Sequence, residues 1–195
     1  TRLGMVTFTL ILVYVGIALL DSLHFRRALE PVEGVPSRQT FYENQVTSLL
    51  DVMLGGGEHF ERTYSAPFAL KSFEKQNMKD ENGVLYRDFP LLDYAGRHLT
   101  KPEERLADVL AKTVWALFWG LLIAAVVVGL QWIFLRRSSL PWYASWMTQA
   151  VVICLAVWLV LISRYYHVLG TDRGGADVAY QSIKGVRTAV LLGTL

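Results

Sequence analysis

The run HVLGTDRGGADV, from His167 to Val178, stands between two strongly apolar stretches, and its reading decides how the chain is organised. Glycines at 170, 174 and 175 remove side chains where a chain must leave one helix and turn, and Asp177 or Asp172 can cap the next helix. Beyond the turn, Ala179, Ile183, Val186 and Val190 recur at helical spacing, with Gln181, Lys184 and Arg187 on other faces. That pattern describes an amphipathic helix at a membrane interface, and Gly185 lets it bend into the apolar run that begins at Thr188. The stretch is not a phosphate loop. GTDRGGAD lacks the Gly-Lys-Ser/Thr ending of a Walker loop and the G-x-G-x-x-G spacing of a dinucleotide fold. Asp172 and Asp177 are too far apart for the alternating ligands of a calcium loop.

Outward from this run, the chain carries long uncharged segments. Leu3 to Leu20 is free of charge for about 18 residues, close to the ~20 a helix needs to cross a ~30 Å hydrocarbon core. Asp21-Ser22-Leu23-His24 follows in place of an A-x-A cleavage site, so the segment reads as an uncleaved anchor and not as a signal peptide. Between Lys112 and Arg136 lie about 23 uncharged residues, with Trp115, Phe118 and Trp119 at one boundary and Trp132 and Phe134 at the other. A third segment, Ser138 to Ser163, has Trp142, Tyr143 and Trp146 at its start and Tyr165 and Tyr166 beyond its end. RRSSLP leaves so short a connection that the second and third segments must form an antiparallel hairpin. TAVLLGTL, about eight residues, is too short to span and reads as the first turns of a further span. The chain opens at Thr1 without a methionine and closes at Leu195 inside an apolar run, so a fragment of a longer membrane protein is expected.

Composition agrees: 53% of residues are hydrophobic and 18% charged, richer in apolar residues than a soluble domain. The net charge of +2 is too small for a nucleic-acid footprint. Cys154 is the only cysteine, so no disulfide or cysteine zinc site forms within the chain. From Asp21 to Lys112 the chain holds 15 acids and 12 bases, the balance of a solvated module. Within it, Phe41, Val46, Leu49, Leu50 and Met53 predict a helix over Arg38 to Leu54, stopped by Gly55-Gly56-Gly57. Phe68 to Tyr94 carries turn signals at Asn82-Gly83 and Pro90 and no assignable fold. Thr100-Lys101-Pro102-Glu103 has capping-box spacing, and Leu106, Val109 and Leu110 carry that helix on into the second span. Arg136 and Arg137 in the tight turn place the turn and the N-terminus in the cytoplasm, and the module and the Gly/Asp run outside.

The segmentation is therefore a first transmembrane helix at 1–22, an extracytoplasmic module at 23–111, of mixed or mainly helical structure, and transmembrane helices at 112–136 and 137–166. The external Gly/Asp signature with its interfacial helix takes 167–187, and the start of a fourth transmembrane helix 188–195. The class is an all-α membrane protein. His24, His59, His98 and His167 share no metal-ligand spacing, and the first three read as solvated. His59, Glu61 and Asp88 make no convincing acid/base set, so no catalytic residue is assigned and no enzyme is expected. Gln131 and Gln149, the main polar residues in the spans, read as helix–helix hydrogen bonds.

HVLGTDRGGADVAYQSIKGVRTAVLLG resembles the signature H-x-L-G-T-D-x-x-G-R-D-V-x-S-R-x-x-x-G-x-R-x-S-L-x-x-G of the dipeptide/oligopeptide/nickel ABC transporter permeases, in the subunit type usually called the C permease. His167, Leu169, Gly170, Thr171, Asp172, Gly175, Asp177, Val178, Gly185, Arg187 and Gly193 stand where that pattern expects them. Ala176 replaces an arginine, Tyr180 and Gln181 a Ser-Arg pair, and Ala189 a serine, which marks a divergent branch. The resemblance covers about 30 residues, and the two extra spans and the module before it lie outside the family's usual layout.

The resemblance implies a multi-span helical permease of the bacterial cytoplasmic (inner) membrane that passes peptides or similar small solutes by alternating access. Its implied partners are membrane lipid, a sister permease, ATP-binding cassette subunits that bind the ATP, and an extracytoplasmic solute-binding protein. The chain itself would hold no cofactor and no metal. Gly170, Thr171, Asp172, Gly175, Asp177, Gly185 and Arg187 would shape the outer rim of the translocation path. The alternative reading is a membrane-anchored sensor or assembly protein with an extracytoplasmic domain, which segments beyond Leu195 would discriminate.

Overall fold

The structure, a computed structural model, describes residues 1–26, 46–55, 60–80, 83–99, 101–138 and 140–194. Helix α1 spans Arg2–Ser22, α3 Arg105–Leu135 and α4 Trp142–Ser163. With the 3₁₀ turn Pro102–Glu104 that leads into α3, these are three helices long and apolar enough to cross a membrane. Their mean hydropathies of 2.4, 2.3 and 2.1 and their mostly exposed side chains suit a hydrocarbon environment, and the protein is membrane-embedded. A final helix, α5, runs Val178–Thr194.

Helix α3 begins ahead of the uncharged stretch, as Leu106, Val109 and Leu110 predicted, and continues through it without a break. Its partner is α4, across the tight turn at Arg136 and Arg137. Small residues set that contact: Ala116, Gly120 and Ala124 are the buried residues of α3, one above another at a spacing of four. A Cβ on Gly120 would stand 2.9 Å from Cys154 Cα, so the absent side chain lets the two backbones approach. Helix α1 packs on both α4 and α5.

A directional chain of hydrogen bonds crosses three of these helices. Gln131 Nε2 donates to Gln149 Oε1 at 2.8 Å, and Gln149 Nε2 donates to Ser145 Oγ at 3.2 Å. Ser145 meets Thr9 at 2.7 Å, and Thr9 Oγ1 donates to the Met5 carbonyl at 2.9 Å, so Ser145 is the donor to Thr9. The helix–helix role expected of Gln131 and Gln149 is what the geometry displays.

The described residues between α1 and α3 hold little helix. Strand β1 (His24–Phe25) pairs antiparallel with β2 (Thr47–Ser48), and β3 (Gln76–Lys79) with β4 (Leu85–Asp88), around a turn where Gly83 has φ +79°. Helix α2 covers only Leu49–Leu54. The helix expected from Arg38 therefore starts later: Thr47 and Ser48 are extended against β1, and residues 27–45 lie outside the described residues. Ser48 Oγ accepts from the Asp51 amide while the Asp51 carboxylate accepts from the Ser48 amide, a capping box that fixes this start. Gly55, in the left-handed region at φ 67°, ends it where the glycine run predicted. Thr100 lies outside the described residues, and Lys101, ahead of the 3₁₀ turn, makes no side-chain cap.

Leu70, Ile162, Tyr166 and Val168 form a buried apolar cluster with Phe68, Leu99, Val109 and Trp158 packed against it. It joins the ends of α3 and α4 to the 60–99 segment. This end of the bundle, where α1 and α4 finish and α3 and α5 begin, is the charged end of the molecule.

Candidate functional site

The Gly/Asp run is folded as a compact loop beneath the 60–99 segment. Backbone hydrogen bonds stitch the two together: Glu61 N to Gly175 O at 2.9 Å, Thr171 N to Ser65 O at 3.2 Å, Phe68 N to His167 O at 3.0 Å and Gly96 N to Tyr165 O at 2.8 Å. Two of the loop glycines are required by this fit. Gly170 and Gly175 have φ of +76° and +79°, a region costly for residues with a Cβ. A Cβ on Gly175 would lie 1.8 Å from Glu61 O, and one on Gly170 2.2 Å from Ser65 O.

At the centre lies His167, 4% exposed. Its Nδ1 is 2.7 Å from Asp177 Oδ2 and its Nε2 3.2 Å from Glu61 Oε1. Ionised carboxylates only accept, so an imidazole facing one on each nitrogen is held as the doubly protonated cation. Burial works against that charge, and the hydrogen bonds and charges of Asp177 and Glu61 outweigh it, pushing the His167 pKa up to about 9. Burial likewise opposes the Glu61 carboxylate. His167 and the amides of Tyr94, Asp93 and Ala95 outweigh it and bring its pKa down to about 2. Those amides donate at 2.9, 2.7 and 3.3 Å, so Glu61 ties residues 93–95 to the loop.

Thr171 has no exposed surface. Its hydroxyl is 3.0 Å from both the Thr63 carbonyl, to which it donates, and the Ser65 hydroxyl. Asp172 shapes the turn itself, accepting from the Ala176 amide at 2.9 Å and from Gln181 Nε2 at 3.1 Å. The Ala176 amide and then Gln181 hold its carboxyl below the usual range. Asp177 Oδ1 accepts from the Tyr180 amide at 3.0 Å and so caps α5.

One face of α5 then docks on acids from elsewhere. Tyr180 donates to Asp51 Oδ1 at 2.6 Å, Lys184 Nζ pairs with the same oxygen at 2.9 Å, and Arg187 lies 3.5 Å from Asp21 Oδ2 at the end of α1. Burial opposes the Asp51 charge, and Tyr180, the Ser48 amide and Lys184 overcome it to bring its pKa to about 2. Ser48 also donates to Asp21 at 3.1 Å. The substituted signature positions are thus occupied by working contacts: Tyr180 reaches Asp51 and Gln181 reaches Asp172. Gly185 is exposed on α5 with open space around it. Residues 178–187 and 188–194 form one uninterrupted helix packed along α1.

Of the residues singled out in the sequence, Gly170, Thr171, Asp172, Gly175 and Asp177 come together in the loop, Arg187 lies farther along α5 against Asp21, and Gly185 lies apart. Sequence reasoning missed Glu61, Ser65, Asp51 and Asp21 as their partners. Only Asp51 carried a local signal, the Ser48-x-x-Asp51 spacing of a capping box. His98 is not simply solvated: its Nε2 lies 2.8 Å from Asp108 and 3.0 Å from Lys112 Nζ. Lys112 and the Tyr166 hydroxyl also bond Asp108. His24 is exposed, and His59 lies outside the described residues. Among the described residues no three His, Cys, Asp or Glu side chains are placed to hold a metal ion. The arrangement fastens elements together.

Comparison with protein-family models, with curated proteins and with solved structures found no significant match to this chain.

Proposed function

We propose that the chain is a membrane-spanning permease subunit of an ABC importer for peptides or similar small solutes. The observation that supports this most is the signature run, in which matched residues carry the architecture of the loop. Gly170 and Gly175 allow its close approach to the 60–99 segment, His167 pairs with Asp177, and Arg187 meets Asp21. In this reading α1, α3 and α4 are three passes of the bacterial inner membrane, with Arg136 and Arg137 in the cytoplasm. The charged end then faces outward. Partner ATPases close on ATP and swing the paired permeases between outward- and inward-open states, and residues 167–187, the loop and the first turns of α5, form the rim that a solute-binding protein approaches. The 23–111 module docks that binding protein or the sister permease.

Two measurements test this. A tagged chain should co-purify with an ATP-binding cassette subunit and a second permease, and deleting its gene should abolish uptake of a labelled peptide. Unchanged uptake, with no ATPase retained, would refute the proposal. Deleting residues 25–110 should lower uptake, and unchanged uptake would remove the docking role. For orientation, Arg173→Cys is the apt probe because Arg173 is exposed whereas Thr171 is buried. It should react with an impermeant thiol reagent on intact cells.

A further inference from the structure

At the charged end a cleft of about 130 Å³ opens between the end of α4 and the first turns of α5, beside the tip of α2. Phe60, Tyr166, Ala179, Tyr180, Ile183 and Arg164 are among its walls. Helices α4 and α5 both pack along α1 and share no comparable contact with each other, which leaves this gap. Most polar tips of its walls are already engaged: Tyr166 Oη on Asp108, Tyr180 Oη on Asp51, Gln181 Nε2 on Asp172, and the His167 ring between Asp177 and Glu61. Asp177, the acid among the described residues of its walls, is held by His167 and the Tyr180 amide. The rest of the lining is mainly ring surface and aliphatic carbon, to which Ser163 and Tyr165 add hydroxyl groups, and it includes Arg164, a cation that makes no ion pair with any described residue.

An occupant matching this lining is apolar in its body and carries one negative charge. Arg164 immediately follows Ser163, the last residue of an apolar helix long enough to span a membrane, so the cleft lies at headgroup depth. The space is too small for a helix, whose diameter is about 10 Å with side chains. We infer that the cleft is a binding site for an anionic phospholipid of the surrounding leaflet, its phosphate on Arg164 and its glycerol and upper acyl carbons against Phe60, Ala179 and Ile183. The lipid fills the gap between α4 and α5 and braces the loop that both helices adjoin. This inference needs only that the chain is membrane-embedded, and it stands or falls separately from the transport proposal.

The test uses the full chain in phosphatidylcholine bilayers with spin-labelled phosphatidylglycerol or phosphatidylcholine as probe. Wild type should favour phosphatidylglycerol about five-fold, the worth of one basic residue near a membrane surface. Arg164→Gln should bring the ratio close to one, Arg164→Lys should keep most of it, and Arg173→Gln, an exposed cation away from the cleft, should leave it unchanged. Ile183→Trp, which fills the cleft, should remove the lipid adduct seen by native mass spectrometry while preserving helicity and melting temperature. No preference in wild type overturns the inference, as does a preference unmoved by Arg164→Gln or lowered equally by Arg173→Gln. An adduct with the mass of a free fatty acid or of a second copy of the chain, in place of a phospholipid, does the same.

Discussion

The matched glycines divide by what surrounds them. At Gly175 and Gly170 a side chain would meet backbone of the 60–99 segment, in a conformation that L residues avoid. At Gly185 it would meet nothing. Gly175→Ala should therefore destabilise the chain by about 3 kcal/mol or more, whereas Gly185→Ala should be neutral or raise stability by up to about 1 kcal/mol. Thermal melts in one detergent decide between them, and equal effects would mean that the loop is not packed as described. His167 adds a pH dependence at the same scale. It stays protonated up to about pH 9 in the folded chain, against 6.5 for the free side chain. Its contribution, about 3 kcal/mol, is complete below pH 6.5 and lost as pH rises through 9. Glu61 runs the other way, contributing fully above 4.5 and losing its contribution as pH falls toward 2. Amide exchange at 61–66 and 165–178, corrected for intrinsic rates, should therefore accelerate between about pH 7 and 10. His167→Gln should be fast already at neutral pH.

At the scale of elements, α3 and α4 are held by the absence of side chains and by a few polar ones. Gly120→Val should separate the helices, since a Cβ there already stands 2.9 Å from the Cys154 backbone. Gln131→Leu should cost about 1 kcal/mol. Combining it with Gln149→Leu should cost less than the sum of the two, because both remove the same hydrogen bond. Steric-trap or denaturant measurements in micelles read these values, and strict additivity would deny the contact. This layer was the more legible one in the sequence, because apolar length, flanking tryptophans and a glutamine within each of two apolar runs can be read from one helix at a time. Helix α2 was less so. Val46 fits the helical spacing that Leu49, Leu50 and Met53 continue, but Thr47 and Ser48 pair with β1, and the backbone stays extended up to Leu49.

The whole molecule is polarised. Apart from Asp172 and Asp177, the acids all fall between Asp21 and Lys112, and those described converge on the charged end. The opposite end carries Arg2 over the Tyr143 ring at 5.3 Å and Arg136 over Trp132 at 5.4 Å. Charge counts along the chain foretold that separation. They could not reveal which acids would close on the loop, because Glu61 and His167 are 106 residues apart and nothing local in either neighbourhood specifies the other. Burial of a charge without its partner costs several kcal/mol, so these long-range pairs form together or not at all. The most direct measurement is a disulfide between Ser65→Cys and Thr171→Cys, whose native hydroxyls lie 3.0 Å apart across a backbone bridge. In native membranes the pair should oxidise rapidly and completely, leaving the chain folded, with Ser65→Cys/Arg173→Cys as the unreactive control. A pair that stays reduced in folded protein, or reacts no faster than the control, would contradict the account.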